Sequence, residues 1–161
     1  MIQSVLFGME QAAKTSDDYY TPAWVFERMG IDFDLDVCAP PGGLPWIPAA
    51  RYFTMADDGL AQEWYGRVWM NPPYSDSAPW AARWLSHRHG VALLPLTKSQ
   101  WCQAVMETID GFVYAPANFA FTTHLPPKGH VRPGEIIWPV FFAAFGHECV
   151  DAISRLGRVR R

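Results

Sequence analysis

The tetrapeptide Asn71-Pro72-Pro73-Tyr74 follows directly on Arg67-Val68-Trp69-Met70, a run that reads as a β-strand. Proline fixes φ and has no N–H, so two in succession end the strand in a rigid, non-helical turn. Such a turn presents two acceptors at fixed positions, the Asn71 side-chain carbonyl and the Pro72 backbone carbonyl. Two acceptors converging on an NH2 group hold both of its hydrogens. They also favour a nitrogen passing from planar toward tetrahedral, as its lone pair must to attack a methyl group. Tyr74 adds a flat face on which a ring carrying that amine can stack. A base inside a duplex cannot enter such a turn, so this chemistry requires the base to leave the stack.

Other residue types bear on the same chemistry. Asp36 lies near the end of an alternating run, and Asp57-Asp58-Gly59 taken alone is an ordinary acidic turn. Lys98, flanked by Thr97 and Ser99, suits either a phosphate contact near an extruded base or a solvated helix start. Phe119 and Phe121 alternate, which fits a second wall of a base pocket or simple core packing. Cys38, Cys102 and Cys149 are scattered without a CxxC pair, which suits neither a disulfide framework nor zinc. His87 and His89 flank Arg88 at an expected helix end, and no metal site is expected.

The elements that position these residues follow from periodicity and punctuation. Thr21-Pro22 offers an N-cap followed by proline, with a helix over 23–29 closed by Gly30. Strands are expected at 33–38, 51–55, 67–70 and 91–96, with helices opened by Ser77 (to about 89) and Ser99 (to about 109). Further strands are expected at 112–115, 119–123 and 136–145, and a short helix over 150–156. Strands alternating with helices, then a hairpin-like end, indicate an α/β fold. Its sheet is Rossmann-like and mostly parallel, with an antiparallel C-terminal edge. We expect one domain over 1–161, with 1–18 as an N-terminal arm and 155–161 as a basic tail.

Half of the 161 residues are hydrophobic, enough for a packed core, and the eight tryptophans suit either core filling or walls for a flat ligand. The net charge of −3 does not announce a nucleic-acid binder, but residues 1–60 hold nine acids against three bases and the remainder seven against ten. Four arginines fall in the last seven residues, a solvated end or a phosphate contact. With no leader and no unbroken apolar span, a cytoplasmic protein with no membrane association is expected.

In order along the chain, Tyr20-Thr21-Pro22, Leu35-Asp36-Val37-Cys38-Ala39, Tyr52-Phe53, Asp58-Gly59-Leu60, Trp64-Tyr65-Gly66 and Asn71-Pro72-Pro73-Tyr74 resemble the phage and prophage N6-adenine DNA methyltransferases of the Dam type. The resemblance spans about residues 18 to 145. It implies transfer of a methyl group from S-adenosylmethionine (AdoMet) to adenine in DNA, with Asn71, Pro72, Pro73 and Tyr74 as the catalytic turn. It places Asp36 near the methionine part of AdoMet, where a carboxylate can receive the ammonium. Tyr20, Thr21 and Pro22 flank that end, and Cys38, Ala39 and Leu60 join the cofactor residues. Asp57 or Asp58 meets the ribose hydroxyls or the adenine amine, and the sequence does not choose between them. Tyr74, Lys98, Phe119 and Phe121 fall on the substrate side.

One departure stands out. Where many methyltransferases carry a glycine-rich loop, this chain reads Ala39-Pro40-Pro41-Gly42-Gly43, and about 35 residues separate Asp36 from Asn71. That is tight for two strand–helix units of about 30 residues each, so a helix there is expected to be shortened or missing. The same tetrapeptide suits an enzyme acting on a glutamine side chain or on RNA adenine, and the fold without its cofactor suits a non-catalytic nucleic-acid-binding module. After the sheet is built no recognition domain remains, which leads us to expect low sequence specificity, or recognition by residues 124–134 and the tail. A homodimer would also complete a DNA surface, and the sequence carries no signal for or against one.

Overall fold

The computed structural model describes residues 19–122 and 139–161. The expected arm 1–18, the loop 124–134 and the first residues of the expected strand 136–145 therefore lie wholly outside the described residues. Helix α1 (Ala23–Met29) ends at Gly30, whose φ of 63° is the left-handed turn that glycine adopts without strain. Strands β1 (Phe33–Asp36), β2 (Ala49–Tyr52), β3 (Val68–Met70) and β4 (Gly90–Pro95) follow, with α2 (Ser77–His87) between the last two. Helix α3 (Gln100–Thr108), strands β5 (Gly111–Tyr114) and β6 (Val140–Phe145), and helix α4 (His147–Ser154) complete the described elements.

The six strands form one sheet in the order β2-β1-β3-β4-β6-β5. β2, β1, β3 and β4 pair in parallel, and β6 lies antiparallel to both β4 and β5. Hence β5 runs with the parallel set, and β6 alone is reversed. The period-2 alternation of the strands sorts their side chains onto two cores. Trp69, Val91, Leu93, Phe142 and Ala144 pack with Val25, Phe26 and Met29 of α1 and Cys149, Ala152 and Ile153 of α4. On the other face Val68, Met70, Ala92, Leu94, Phe141 and Ala143 pack with Ala81 and Trp84 of α2 and Cys102 and Val105 of α3. The result is a three-layer α/β/α arrangement with the described sheet in the middle.

Both crossovers on either side of β2 lack an α-helix; only the 3-10 turn Met55–Asp57 interrupts them. This is the missing helix that the short spacing implied. Its consequence is local: Ala50, Arg51 and Tyr52 of β2 are exposed, because no described element covers that edge. Chain reversal around β1, to β2 on one side and β3 on the other, makes the end of β1 a topological switch point. Ligands of open α/β sheets bind beyond the carboxyl ends of the strands at such points.

Several local expectations are corrected. Residues 119–122 form no strand; their pairing is a single bridge between Tyr20 and Thr122, after a turn in which Phe119 donates to the Pro116 carbonyl at 2.8 Å. Helix α1 starts at Ala23 with Pro22 as its cap, so Thr21 is not the N-cap. Ser77 is the first residue of α2 rather than its cap, and its hydroxyl donates to the Pro73 carbonyl at 3.3 Å. Ser99 does sit at the cap of α3, but its hydroxyl is paired with Thr97 at 2.6 Å. Helix α4 begins at His147, three residues earlier than the periodicity suggests.

Candidate active site

Beyond the carboxyl ends of β1, β2 and β3 lies a cavity of about 340 Å³. Its walls are Val37–Pro41 after β1, Thr54, Met55, Asp58 and Gly59 after β2, and Asn71–Pro73 after β3, with Tyr19, Tyr20 and Trp80 closing the sides. Such a volume suits a small-molecule ligand. The turn after β2 passes so close under β1 that a Cβ on Gly59 would meet the Val37 carbonyl at 2.5 Å and Trp80 at 3.1 Å. Glycine is therefore what lets Asp58 reach the wall.

Asn71 is held from behind. Its Nδ2 donates to the Tyr19 carbonyl at 3.3 Å and to the Thr21 hydroxyl at 3.4 Å. A backbone carbonyl only accepts, so the amide must turn its NH2 that way and leave Oδ1 to the cavity side. Pro73, at φ −60° and ψ 122°, keeps the turn extended and the Pro72 carbonyl close to the Asn71 side chain in sequence.

Tyr74 is placed differently from its neighbours in the tetrapeptide. Its hydroxyl donates to the Leu93 carbonyl at 3.3 Å, and its ring meets Phe121 edge-on at 6.1 Å. Burial pushes its phenol well above the usual range, so it stays a neutral donor. Phe121 in turn packs against Phe119 at 4.7 Å and Tyr19 at 6.0 Å. Tyr74, Phe119 and Phe121 thus form an aromatic cluster joined to the cavity wall through Tyr19.

The acidic candidates separate clearly. Asp58 lines the cavity, with φ 53°, a left-handed conformation that Asp tolerates better than most residues. Asp57 does not line it; its carboxylate accepts from the Thr54 N–H at 2.7 Å and the Thr54 hydroxyl at 3.0 Å, a reciprocal cap on the 3-10 turn. These bonds hold its carboxyl below the usual range. Asp36 is buried and opens onto an adjacent cavity of about 260 Å³, with Gly42, Gly43 and Tyr52 among its walls. Burial pushes its carboxyl up to about 7, against the smaller opposing effect of the Cys38 N–H at 3.1 Å.

Of the remaining candidates, Tyr20, Cys38 and Ala39 line the larger cavity, whereas Thr21, Pro22 and Leu60 do not. Burial, and next the nearby Asp36 charge, push the Cys38 thiol well up, so it serves as a neutral wall rather than a nucleophile. Lys98 is exposed beyond the carboxyl end of β4 and lines neither cavity. Among the described residues no group of three or more His, Cys, Asp or Glu side chains could hold a metal, and no helix is long and apolar enough to cross a membrane.

Sequence reasoning missed Tyr19, Trp46 and Trp80. Tyr19 acts on Asn71 through its carbonyl, which no residue type advertises. Trp46 donates from Nε1 to the Thr21 carbonyl at 2.9 Å across the irregular stretch after β1. Trp80 was legible: it lies one helical turn before the buried Trp84 on α2, on the same face and nearer the strand ends.

Comparison with known proteins agrees with this geometry. The sequence model of the family described as DNA N-6-adenine-methyltransferase (Dam) matches residues 9–125. A DNA N-6-adenine-methyltransferase of Haemophilus phage HP1 (strain HP1c1) is 37% identical over 75 residues, which cover 44% of this chain and 42% of that protein. The match thus spans less than half the length of that relative. No solved structure matches.

Proposed function

We infer that this chain, which belongs to the DNA N-6-adenine-methyltransferase (Dam) family, transfers a methyl group from AdoMet to the N6 amine of adenine in DNA. The observation that carries the reading is the Asn71 amide, turned by Tyr19 and Thr21 so that its oxygen faces the cavity at the end of β3. The donor set suits AdoMet. A buried, raised carboxyl at Asp36 is the group that a ligand ammonium would stabilise, and Asp58 offers a carboxylate to hydroxyls or an amine. Tyr20, Cys38 and Ala39 line the wall, with Thr21 and Pro22 behind it and Leu60 after the Asp58 turn. When bound, AdoMet supplies a methyl group activated on a sulfonium.

The chain's own residues then work by alignment. Asn71 Oδ1 and the Pro72 carbonyl accept the two N6 hydrogens, with Pro73 keeping the turn rigid. The nitrogen lone pair thereby points at the methyl carbon. Bound AdoMet would supply the methyl group, its sulfur keeping the bonding pair, and the proton that N6 sheds on methylation would pass to solvent. Holding both reactants in this geometry replaces an improbable encounter. Tyr74 and Phe119, both half-buried, are the aromatic surface for the extruded adenine, with the buried Phe121 packed behind them, and Lys98 meets a phosphate beside it. The chain acts as one methyltransferase domain over 1–161 in the host cytoplasm.

The test is transfer of labelled methyl from AdoMet to unmethylated DNA, with nucleoside analysis of the product. N6-methyladenine from the wild type and a loss of at least roughly 100-fold in Asn71→Ala support the reading. AdoMet binding without transfer to DNA would redirect it to RNA adenine or a glutamine side chain. An absence of AdoMet binding would leave a nucleic-acid-binding module.

A further inference from the structure

Residues 19–22 run as a short strap between the Asn71 turn and the aromatic cluster. Tyr20 exchanges both backbone hydrogen bonds with Thr122, at 2.9 and 2.8 Å. Thr21 is 1% exposed, its carbonyl takes the Trp46 indole N–H at 2.9 Å, and its hydroxyl takes Asn71 Nδ2 at 3.4 Å. The strap is therefore fixed from both sides, and its one buried hydroxyl points at the amide rather than into the cavity.

We propose that Thr21 is a positioning residue that, beside the Tyr19 carbonyl, holds the Asn71 amide in place, an inference that rests on the methyltransferase reading only for its catalytic consequence. An asparagine amide rotated by half a turn has nearly the same shape but presents donors where acceptors are needed. Here such rotation would set Oδ1 against the Tyr19 carbonyl, oxygen against oxygen, while the Thr21 hydroxyl, which accepts from Nδ2 as the amide stands, is its second tether. The carbonyl thus decides that Oδ1 faces forward, where the N6 hydrogens arrive, and the hydroxyl pins the amide at its second N–H. Removing the hydroxyl leaves one anchor and one unpaired Nδ2 hydrogen on a half-buried amide.

The experiment compares Thr21→Val, which keeps the shape and removes the acceptor, with Thr21→Ser, which restores it. Three quantities are read: kcat at saturating AdoMet and DNA, the Kd for AdoMet, and the side-chain 15NH2 signals of asparagine-labelled protein. The chain has two asparagines, Asn71 and Asn118, so an Asn71→Asp sample assigns the signals. Expected for Thr21→Val are a kcat lower by roughly 10-fold, a nearly unchanged Kd, and a displaced Asn71 NH2 signal. Thr21→Ser should restore all three. A raised Kd with kcat unchanged would make Thr21 a cofactor contact instead. A serine variant no better than valine, or an unmoved Asn71 signal, would overturn the proposal. If the wild type failed to methylate adenine, the catalytic reading would fall while the Asn71 signal still decided whether Thr21 holds the amide.

Discussion

Asp36 carries the clearest conflict between folding and ligand binding. Its carboxyl is buried, and burial holds it near 7 rather than at 3.8. In the unfolded chain the proton leaves near the ordinary value, whereas the folded protein keeps it until about 7. Between those limits the folded state binds more protons, so the contribution of Asp36 to stability falls as pH rises through that window. The full difference above it is on the order of 4 kcal/mol. Asp36→Asn keeps an acceptor for the Cys38 N–H and removes the titration. The difference in Tm between the variant and the wild type should be near zero at pH 4 and several degrees in favour of the variant at pH 8. Melts across pH 4–8 measure it; a constant difference would mean that ionising Asp36 costs nothing in the fold. If Asp36 receives the AdoMet ammonium as proposed, added AdoMet should narrow the gap at pH 8 by stabilising the wild-type carboxylate.

The C-terminal tail shows what an element does beyond its charge. Arg155 donates to the Met29 carbonyl at the end of α1, where a cation also suits the helix dipole. Arg160 exchanges backbone hydrogen bonds with Phe112 at 2.9 and 2.8 Å, and its guanidinium lies 4.7 Å over the Tyr114 ring. The tail thus covers the outer edge of β5, which would otherwise expose unpaired backbone groups. Phe112 is near the amino end of β5, and the Asn71 cavity lies at the carboxyl ends of the parallel strands. Truncation after Leu156 should lower Tm and promote self-association while leaving the salt dependence of DNA affinity unchanged. A log–log salt slope shallower by about 0.9 or more would return one of the arginines to a phosphate contact.

At the scale of the whole molecule, Thr122 and Pro139 are held at the same end of the sheet. Thr122 pairs with Tyr20 on the cavity wall, and the Pro139 carbonyl accepts from Leu96 just past β4 at 2.8 Å. The described residues that bracket 123–138 therefore both sit at the site's end of the sheet. That stretch includes Lys128 and Arg132, and base reading needs an element within reach of the extruded adenine. Replacing residues 124–134 by a glycine–serine stretch of equal length should leave the AdoMet Kd unchanged. It should weaken DNA binding roughly 10-fold and widen the set of methylated sequences, as read by mapping N6-methyladenine on a plasmid. An unchanged set would assign base recognition to other elements.

What was legible in the sequence is what neighbours along the chain decide. The bounds of α1 follow from a proline before it and a glycine after it. The alternation in β3, β4 and β6 sorts their side chains onto two cores, and the paired prolines end β3 where a strand must end. The shortage of residues between Asp36 and Asn71 likewise rules out two full helices there. Tertiary structure decided everything that depends on partners far along the chain. Nothing local distinguishes Asp57 from Asp58, yet a cap takes one and a close approach under β1 delivers the other to the cavity wall. Residues 119–122 have a strand's pattern and, among the described residues, pair with Tyr20 alone. The direction in which the Asn71 amide faces is set by a carbonyl and a hydroxyl 52 and 50 residues away, because an amide has no preferred face until its surroundings supply acceptors on one side.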